Sequence, residues 1–263
     1  QPSESEGSHR WWSAGTVRGM CGRYASTRSA TDLAALFEVE DATDGELVPS
    51  YNVAPTDPAP IVRVSAERGP VLCVARWGFL PPWSRSPRDA ARMINARAET
   101  VAQSRVFGEA FARRRCLVPA DGWYEWRITN GPRSGRGGRT VKQPYFMTRP
   151  DVVVFGGVWT VWGSGAEARI TFSIITVPAV GDLATVHDRM PLLIEPHRWA
   201  DWLRGSDMAD LLTPPSPEFC AGIEIRPVSS AVGDVRKDGP ELVRPVAVTD
   251  TDASTVDYAP TLF

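Results

Sequence analysis

The sequence predicts an α+β fold: one β-rich domain with irregular loops and short helices at its periphery. Apolar, β-branched runs of strand length recur between Ala59 and Val177. Helical spacing of apolar residues is confined to a few short stretches. Proline- and turn-rich segments separate the runs, and no internal repeat is present. With 263 residues, 43% of them hydrophobic, the chain is long enough to bury a sizeable core.

Taken in order, residues 1–19 are polar and rich in Gly and Ser. They read as a disordered leader or an extension foreign to the domain. The domain is expected over 20–248. A helix fits Ser29 to Phe37, with Leu33, Leu36 and Phe37 on one face and Ser29 or Thr31 as the cap. Residues 44–60 are rich in turn formers. Strands follow at Ala59–Val64 and Pro70–Trp77, and Leu80-Pro81-Pro82-Trp83 is a loop. Glu99 to Arg115 reads as helical, with Val101, Phe107 and Phe111 on one side. Cys116–Trp126 reads as a strand pair turning at Asp121-Gly122. Residues 129–141 form a glycine-rich hairpin loop that includes Arg139. Strands at Pro144–Thr148, Val152–Val161 and Arg169–Val177 come next, then a short helix from His197 to Arg204 and a loose tail over 249–263.

The net charge of −2 argues against a protein that coats nucleic acid over its whole surface, but the charge is uneven. From Arg76 to Arg115, nine arginines face three acidic residues; from Asp201 onward, five basic residues face eleven acidic ones. The middle of the chain is therefore where an anionic partner would sit, against the plainer reading of a solvated face. The four cysteines, Cys21, Cys73, Cys116 and Cys220, lack ligand or disulfide-framework spacing, so no metal is expected. No phosphate-cradle motif is present, so no nucleotide or other cofactor is expected. Nothing in the sequence spans a membrane or resembles a signal peptide, which fits a cytoplasmic protein with reduced thiols. A monomer is expected.

Several residues carry chemistry. Glu125 lies between Tyr124 and Trp126. Desolvation there would raise its pKa toward that of a general acid or base, whereas strict alternation would turn it to solvent. His187 stands beside Asp188 and Arg189 and suits proton transfer near neutral pH, or else a structural role. Asn95 and Arg97, two apart, face the same way on an extended segment. Trp83 is either a stacking surface for an unpaired base or a core residue. Cys21 is a small buried hydrophobe if internal. If Met20 is removed, however, it carries a free α-amine, ordinarily of pKa about 7.7–8.0, beside its thiol. An aldehyde then condenses with the amine and the thiol closes a five-membered thiazolidine.

Met20-Cys21-Gly22-Arg23-Tyr24, Tyr51-Asn52-Val53-Ala54-Pro55, Arg76-Trp77-Gly78, Asn95-Ala96-Arg97-Ala98-Glu99-Thr100, Asp121-Gly122-Trp123-Tyr124-Glu125-Trp126 and His187-Asp188-Arg189-Met190-Pro191 follow one another, with Ala231-Val232-Gly233 near the end. In this order they resemble the SOS response-associated peptidase (SRAP) family of abasic site processing proteins. The resemblance covers Met20 to Val246. It implies a barrel-like, two-sheet core and a basic groove for single-stranded DNA containing abasic sites. It implies that Cys21, once N-terminal, forms a thiazolidine cross-link with the ring-opened sugar, protecting the lesion during replication-linked repair. It further implies that Asn95 positions the amine or the sugar, that Glu125 is the acid/base group, and that His187 assists proton transfer and reversal. Arg23, Arg97 and Arg189 would take phosphates, Arg105 would join them on the basic face, and Trp83 would stack on or wedge the DNA. The residues ahead of Cys21 depart from the pattern: either the start lies at Met20 or the leader is removed by self-cleavage. Two other functions fit the same residues, a thiol autopeptidase acting on its own N-terminal segment and a non-covalent single-strand binding module.

Overall fold

The computed structural model describes residues 22–130 and 140–247. Cys21, the leader, Arg139 with its glycine-rich neighbours and the tail expected over 249–263 lie outside the described residues. Eleven strands run through the rest: β1 (Tyr24–Ser26), β2 (Glu40–Asp41), β3 (Ser50–Val53), β4 (Pro58–Ser65), β5 (Gly69–Trp77), β6 (Asn95–Arg97), β7 (Arg115–Asn130), β8 (Thr140–Trp162), β9 (Arg169–Pro178), β10 (Arg189–Pro191) and β11 (Glu224–Pro227). Their β-branched and aromatic content suits a pleat buried on both faces. The sheet closes on itself. β7 pairs with β4 and β8, β8 with β9, β9 with β5, and β5 with β4, which makes a five-stranded ring. β1 and β3 extend from β7, β11 lies beside β8, and β6 and β10 both pair with β9. This is the α+β, barrel-like arrangement expected.

Aromatic residues pack together within the mainly aliphatic core. Tyr24 packs edge-on against Trp77 (5.0 Å between centroids) and Phe155 (5.8 Å), and Phe155 packs against Trp123 (6.1 Å). Such pairs add about 0.5–1.5 kcal/mol each beyond their buried area. A smaller cluster of Ala25, Tyr124, Phe146, Val228, Val232 and Leu242 lies on the other side of β7. It binds the C-terminal segment to the sheet.

Helices sit outside the ring. The first, α1 (Ala30–Phe37), starts as expected: Ser29 Oγ accepts the Asp32 N–H at 3.1 Å. The single helix expected over 99–115 is instead two, α2 (Ala98–Val101) and α3 (Gly108–Arg113). Between them Ser104 Oγ accepts the N–H groups of Val106 and Phe107, both at 3.2 Å, which gives the backbone a turn in place of a continued helix. A fourth, α4 (Trp199–Arg204), packs its buried Trp202 under β7.

In place of the expected turn, Asp121-Gly122 lies inside one continuous strand, opposite a bulge in β8. Pairing jumps from Ala120↔Val153 to Gly122↔Thr148, so residues 149–152 of β8 face Asp121 alone. Pro150 falls in this unpaired stretch, where its missing N–H costs no ladder bond. The two strands expected at 144–148 and 152–161 are thus one bent strand. Gly122 is required because a Cβ there would meet Met147 O at 2.3 Å. Asp121 leaves the ladder to accept the Thr27 N–H and hydroxyl, each at 2.7 Å, fastening the end of β1.

Candidate functional site

The first strand approaches β7 in antiparallel register, Tyr24 opposite Trp123, and the Tyr124 N–H donates to Arg23 O at 2.9 Å. Continuing this register puts Gly22, the residue bonded to Cys21, opposite Glu125. Glu125 is 2% exposed, so burial, not solvent, is its environment. Alternation puts it on the face of Trp123, opposite Tyr145 on β8. Sequence reasoning left both readings open because it assumed one wet face, and β7 is covered on both.

A series of side-chain contacts and one strand pairing links the candidate residues into a circuit. Tyr24 packs on Trp77, and the Trp77 indole N–H donates to Ile94 O at 2.9 Å, next to Asn95. Asn95 and Arg97 flank the buried Ala96 on β6 and so share a face, with Arg97 exposed. From there Glu99 grips Arg189, whose backbone N–H donates to His187 Nδ1 at 3.0 Å. The turn before His187 returns to β7: Arg127 reaches Thr185 Oγ1 at 3.4 Å and lies over the Tyr145 ring at 4.7 Å. Arg127 is on the face of Glu125, two residues on, and β7 pairs back to β1. The segments bearing Gly22, Asn95, His187 and Glu125 are thus linked to one another through neighbouring contacts. Arg127 and Thr185 went unnoticed in the sequence, although period two from Glu125 marks Arg127.

His187 Nδ1 faces three groups: the Arg189 N–H at 3.0 Å, Asp188 Oδ1 at 3.1 Å and Arg189 O at 3.3 Å. Which of them it bonds depends on the tautomer of the ring.

Two of the arginines expected to hold phosphate have internal partners. Arg23 Nη1 donates to Asn52 Oδ1 (2.8 Å) and Val232 O (2.9 Å), and burial lowers the guanidinium pKa. Asn52, 3% exposed, donates through Nδ2 to Lys237 O (2.7 Å) and Asp234 O (3.1 Å). The Tyr-Asn-Val and Ala-Val-Gly motifs therefore meet at Arg23, next to Gly22. Nearby, burial raises the Asp57 carboxyl pKa, with the Ala54 N–H and Arg23 opposing it. Arg189 is engaged by Glu99 and by Thr176 O at 2.6 Å. Arg97 and Arg105, by contrast, are exposed. So is Trp83, at 63%, on a loop braced by Trp162 Nε1 to Ser84 O (2.9 Å) and by Ser84 Oγ to Asp89 (2.8 Å). Of the two readings of Trp83, the exposed one holds.

Cys73, Cys116 and Cys220 are buried and unbridged, and burial raises each thiol pKa. None has the exposed, electropositive setting of a nucleophilic thiol. Among the described residues no helix is long and apolar enough to cross a membrane.

The profile of the family described as "SOS response associated peptidase (SRAP)" matches residues 20–235. The abasic site processing protein YedK of Escherichia coli is 33% identical over 246 residues, covering 86% of this chain and all of the relative. The abasic site processing protein HMCES of Gallus gallus is 29% identical over 277 residues, covering 86% of this chain and 78% of its own. In fold, a crystal structure of a protein from Bacteroides thetaiotaomicron superposes with a TM-score of 0.71 at 24% identity, covering 86% of this chain and 100% of that one.

Proposed function

The chain belongs to the SOS response-associated peptidase family, and from that premise we propose that it processes abasic sites in single-stranded DNA by covalent capture on Cys21. The relatives it matches over nearly their full length are named as abasic site processing proteins. The observation that supports the reading is the chain of contacts linking the segments of Asn95, Glu125 and His187 to β1, which follows Cys21 in the sequence.

The reaction needs Cys21 as the first residue, because an internal cysteine offers only an amide nitrogen. The Cys21 α-amine adds to the aldehyde carbon of the ring-opened sugar, and loss of one water gives an imine. The thiol sulfur then bonds to the imine carbon while its proton passes to the nitrogen, closing the thiazolidine. Glu125, buried opposite Gly22, is suited to carry protons between amine, carbinol and water. His187 assists proton transfer at the sugar, and Asn95 orients the amine or a sugar oxygen. Arg97 and Arg105 take flanking phosphates, and Trp83 stacks on a neighbouring base. At Arg23 and Arg189 a phosphate would compete with their internal partners.

The same group supports a second reading, hydrolysis of the Met20–Cys21 bond by the chain itself. The intact mass of the full chain after expression tests it: a persistent 1–20 segment rules out efficient self-cleavage. For the main reading, protein beginning at Cys21 is incubated with an abasic single-stranded oligonucleotide and run on a denaturing gel. A shifted band, lost in Cys21→Ala, is expected. Free protein alone, with affinity that only falls with salt, would instead indicate a non-covalent binding module.

A further inference from the structure

We infer that Glu99 is a positioning residue which, by gripping Arg189, fixes the spacing of Asn95 and His187 across β9. The inference rests on the reading that Asn95 and His187 serve the cross-linking site. A carboxylate beside a DNA groove weakens phosphate binding, so an electrostatic role for Glu99 has the wrong sign.

The geometry supplies another role. Thr176 of β9 is the crossing point: Arg97 of β6 pairs with it on one side and Pro191 of β10 on the other. The Arg189 guanidinium spans that point. Its two terminal nitrogens meet the two Glu99 oxygens, and Nη2 also donates to Thr176 O (2.6 Å) and Oγ1 (3.2 Å). The Arg189 side chain is only 13% exposed. A bidentate pair of this kind fixes orientation as well as distance. Glu99 lies four residues after Asn95 and Arg189 two after His187, so the pair locks one candidate segment to the other. Arg189 also holds the Glu99 carboxyl below the ordinary glutamate range, as a formed ion pair requires.

Charge and geometry make opposite predictions. Glu99→Gln and Glu99→Ala, in protein beginning at Cys21, are compared with wild type on two single-stranded oligonucleotides. One carries an abasic site; the other carries a tetrahydrofuran analogue that binds but has no aldehyde. The cross-linking rate at saturating DNA is expected to fall about ten-fold or more, as for a small misplacement of reacting groups. The Kd for the analogue is expected to stay the same or tighten. Arg189→Lys keeps the charge, loses the fork, and should slow cross-linking to the same degree with an unchanged salt slope. Wild-type rates in folded Glu99→Ala, or full activity in Arg189→Lys, overturn the inference. So does a salt slope in Arg189→Ala smaller by about 0.7, the share of one single-strand phosphate. If wild type itself fails to cross-link, the functional reading fails. The staple is then judged by the ¹⁵N shifts of the His187 imidazole, which Glu99→Ala must move.

Discussion

Replacing Asn52 with alanine should loosen the anchor of the first strand without touching the candidate reacting groups. The side chain is 3% exposed and makes two good donor bonds, to Lys237 O at 2.7 Å and Asp234 O at 3.1 Å; a third, to Val232 O at 3.4 Å, is weak. It also accepts from Arg23 at 2.8 Å. At about 0.5–1.5 kcal/mol per net hydrogen bond, the two donor bonds account for about 1–3 kcal/mol. Arg23 keeps Val232 O at 2.9 Å, so its lost acceptor adds only about 1 kcal/mol, the low end for a buried group left short of a partner. The sum is about 2–4 kcal/mol, or a melting temperature lower by about 5–15 °C for a domain of this size. Differential scanning calorimetry of wild type, Asn52→Ala and Asn52→Asp reads it. The aspartate keeps the Arg23 acceptor but faces the carbonyls with an oxygen, so it too should destabilise. A melting temperature for Asn52→Ala within about 1 °C of wild type would show that the bonds to the C-terminal segment hold nothing.

Trp83→Ala should weaken binding to a single-stranded oligonucleotide by about 1–3 kcal/mol, the worth of one stacked base. An indole 63% exposed leaves the melting temperature unchanged, so a fall in stability with unchanged affinity would contradict the stacking role. Arg97→Ala and Arg105→Ala should each lower the salt slope of binding by about 0.7; a slope equal to wild type removes that residue from the phosphate path. Gly122→Ala should destabilise by about 1–3 kcal/mol or more, because its Cβ meets backbone at Met147 O and cannot be relieved by a rotamer change; denaturant unfolding checks it. The Glu99 carboxyl titrates below its ordinary value in the folded chain, so its contribution to stability is present above about pH 4.3 and is lost as the pH falls through the depressed value. The difference in unfolding free energy between wild type and Glu99→Gln should therefore shrink on acidification and stay flat from pH 5 to 8, about the range in which Glu99 is ionised in both states.

Features set by neighbouring residues were legible in the sequence. Ser29 caps its helix because the bond spans three residues, and the β-branched runs form strands wherever they were expected. Closure of the ring was not legible, since it depends on β5 meeting β9 and β7 meeting both β4 and β8. Asp121-Gly122 was misread because the dipeptide that suits a hairpin turn also suits a strand position where the partner's backbone comes close, and only the partner strand decides between them. The aromatic setting of Glu125 was visible, but its burial required knowing that both faces of β7 are covered. Arg23 and Arg189 show the limit most plainly. A guanidinium suits phosphate and carbonyl alike, and the acceptors that occupy these two come from Asn52, Val232, Glu99 and Thr176, far away in the chain.

Covalent capture by Cys21 as an N-terminal residue is tested most directly by the intact mass of the adduct between protein beginning at Cys21 and an abasic single-stranded oligonucleotide. The expected mass is the sum of the two components less one water, with resistance to borohydride because the thiazolidine leaves no imine to reduce. No such adduct should form when the α-amine is acetylated or Cys21 is replaced by alanine. An adduct of the same mass from the acetylated protein would contradict the account, because capture would then proceed without the amine on which the whole site is argued to converge.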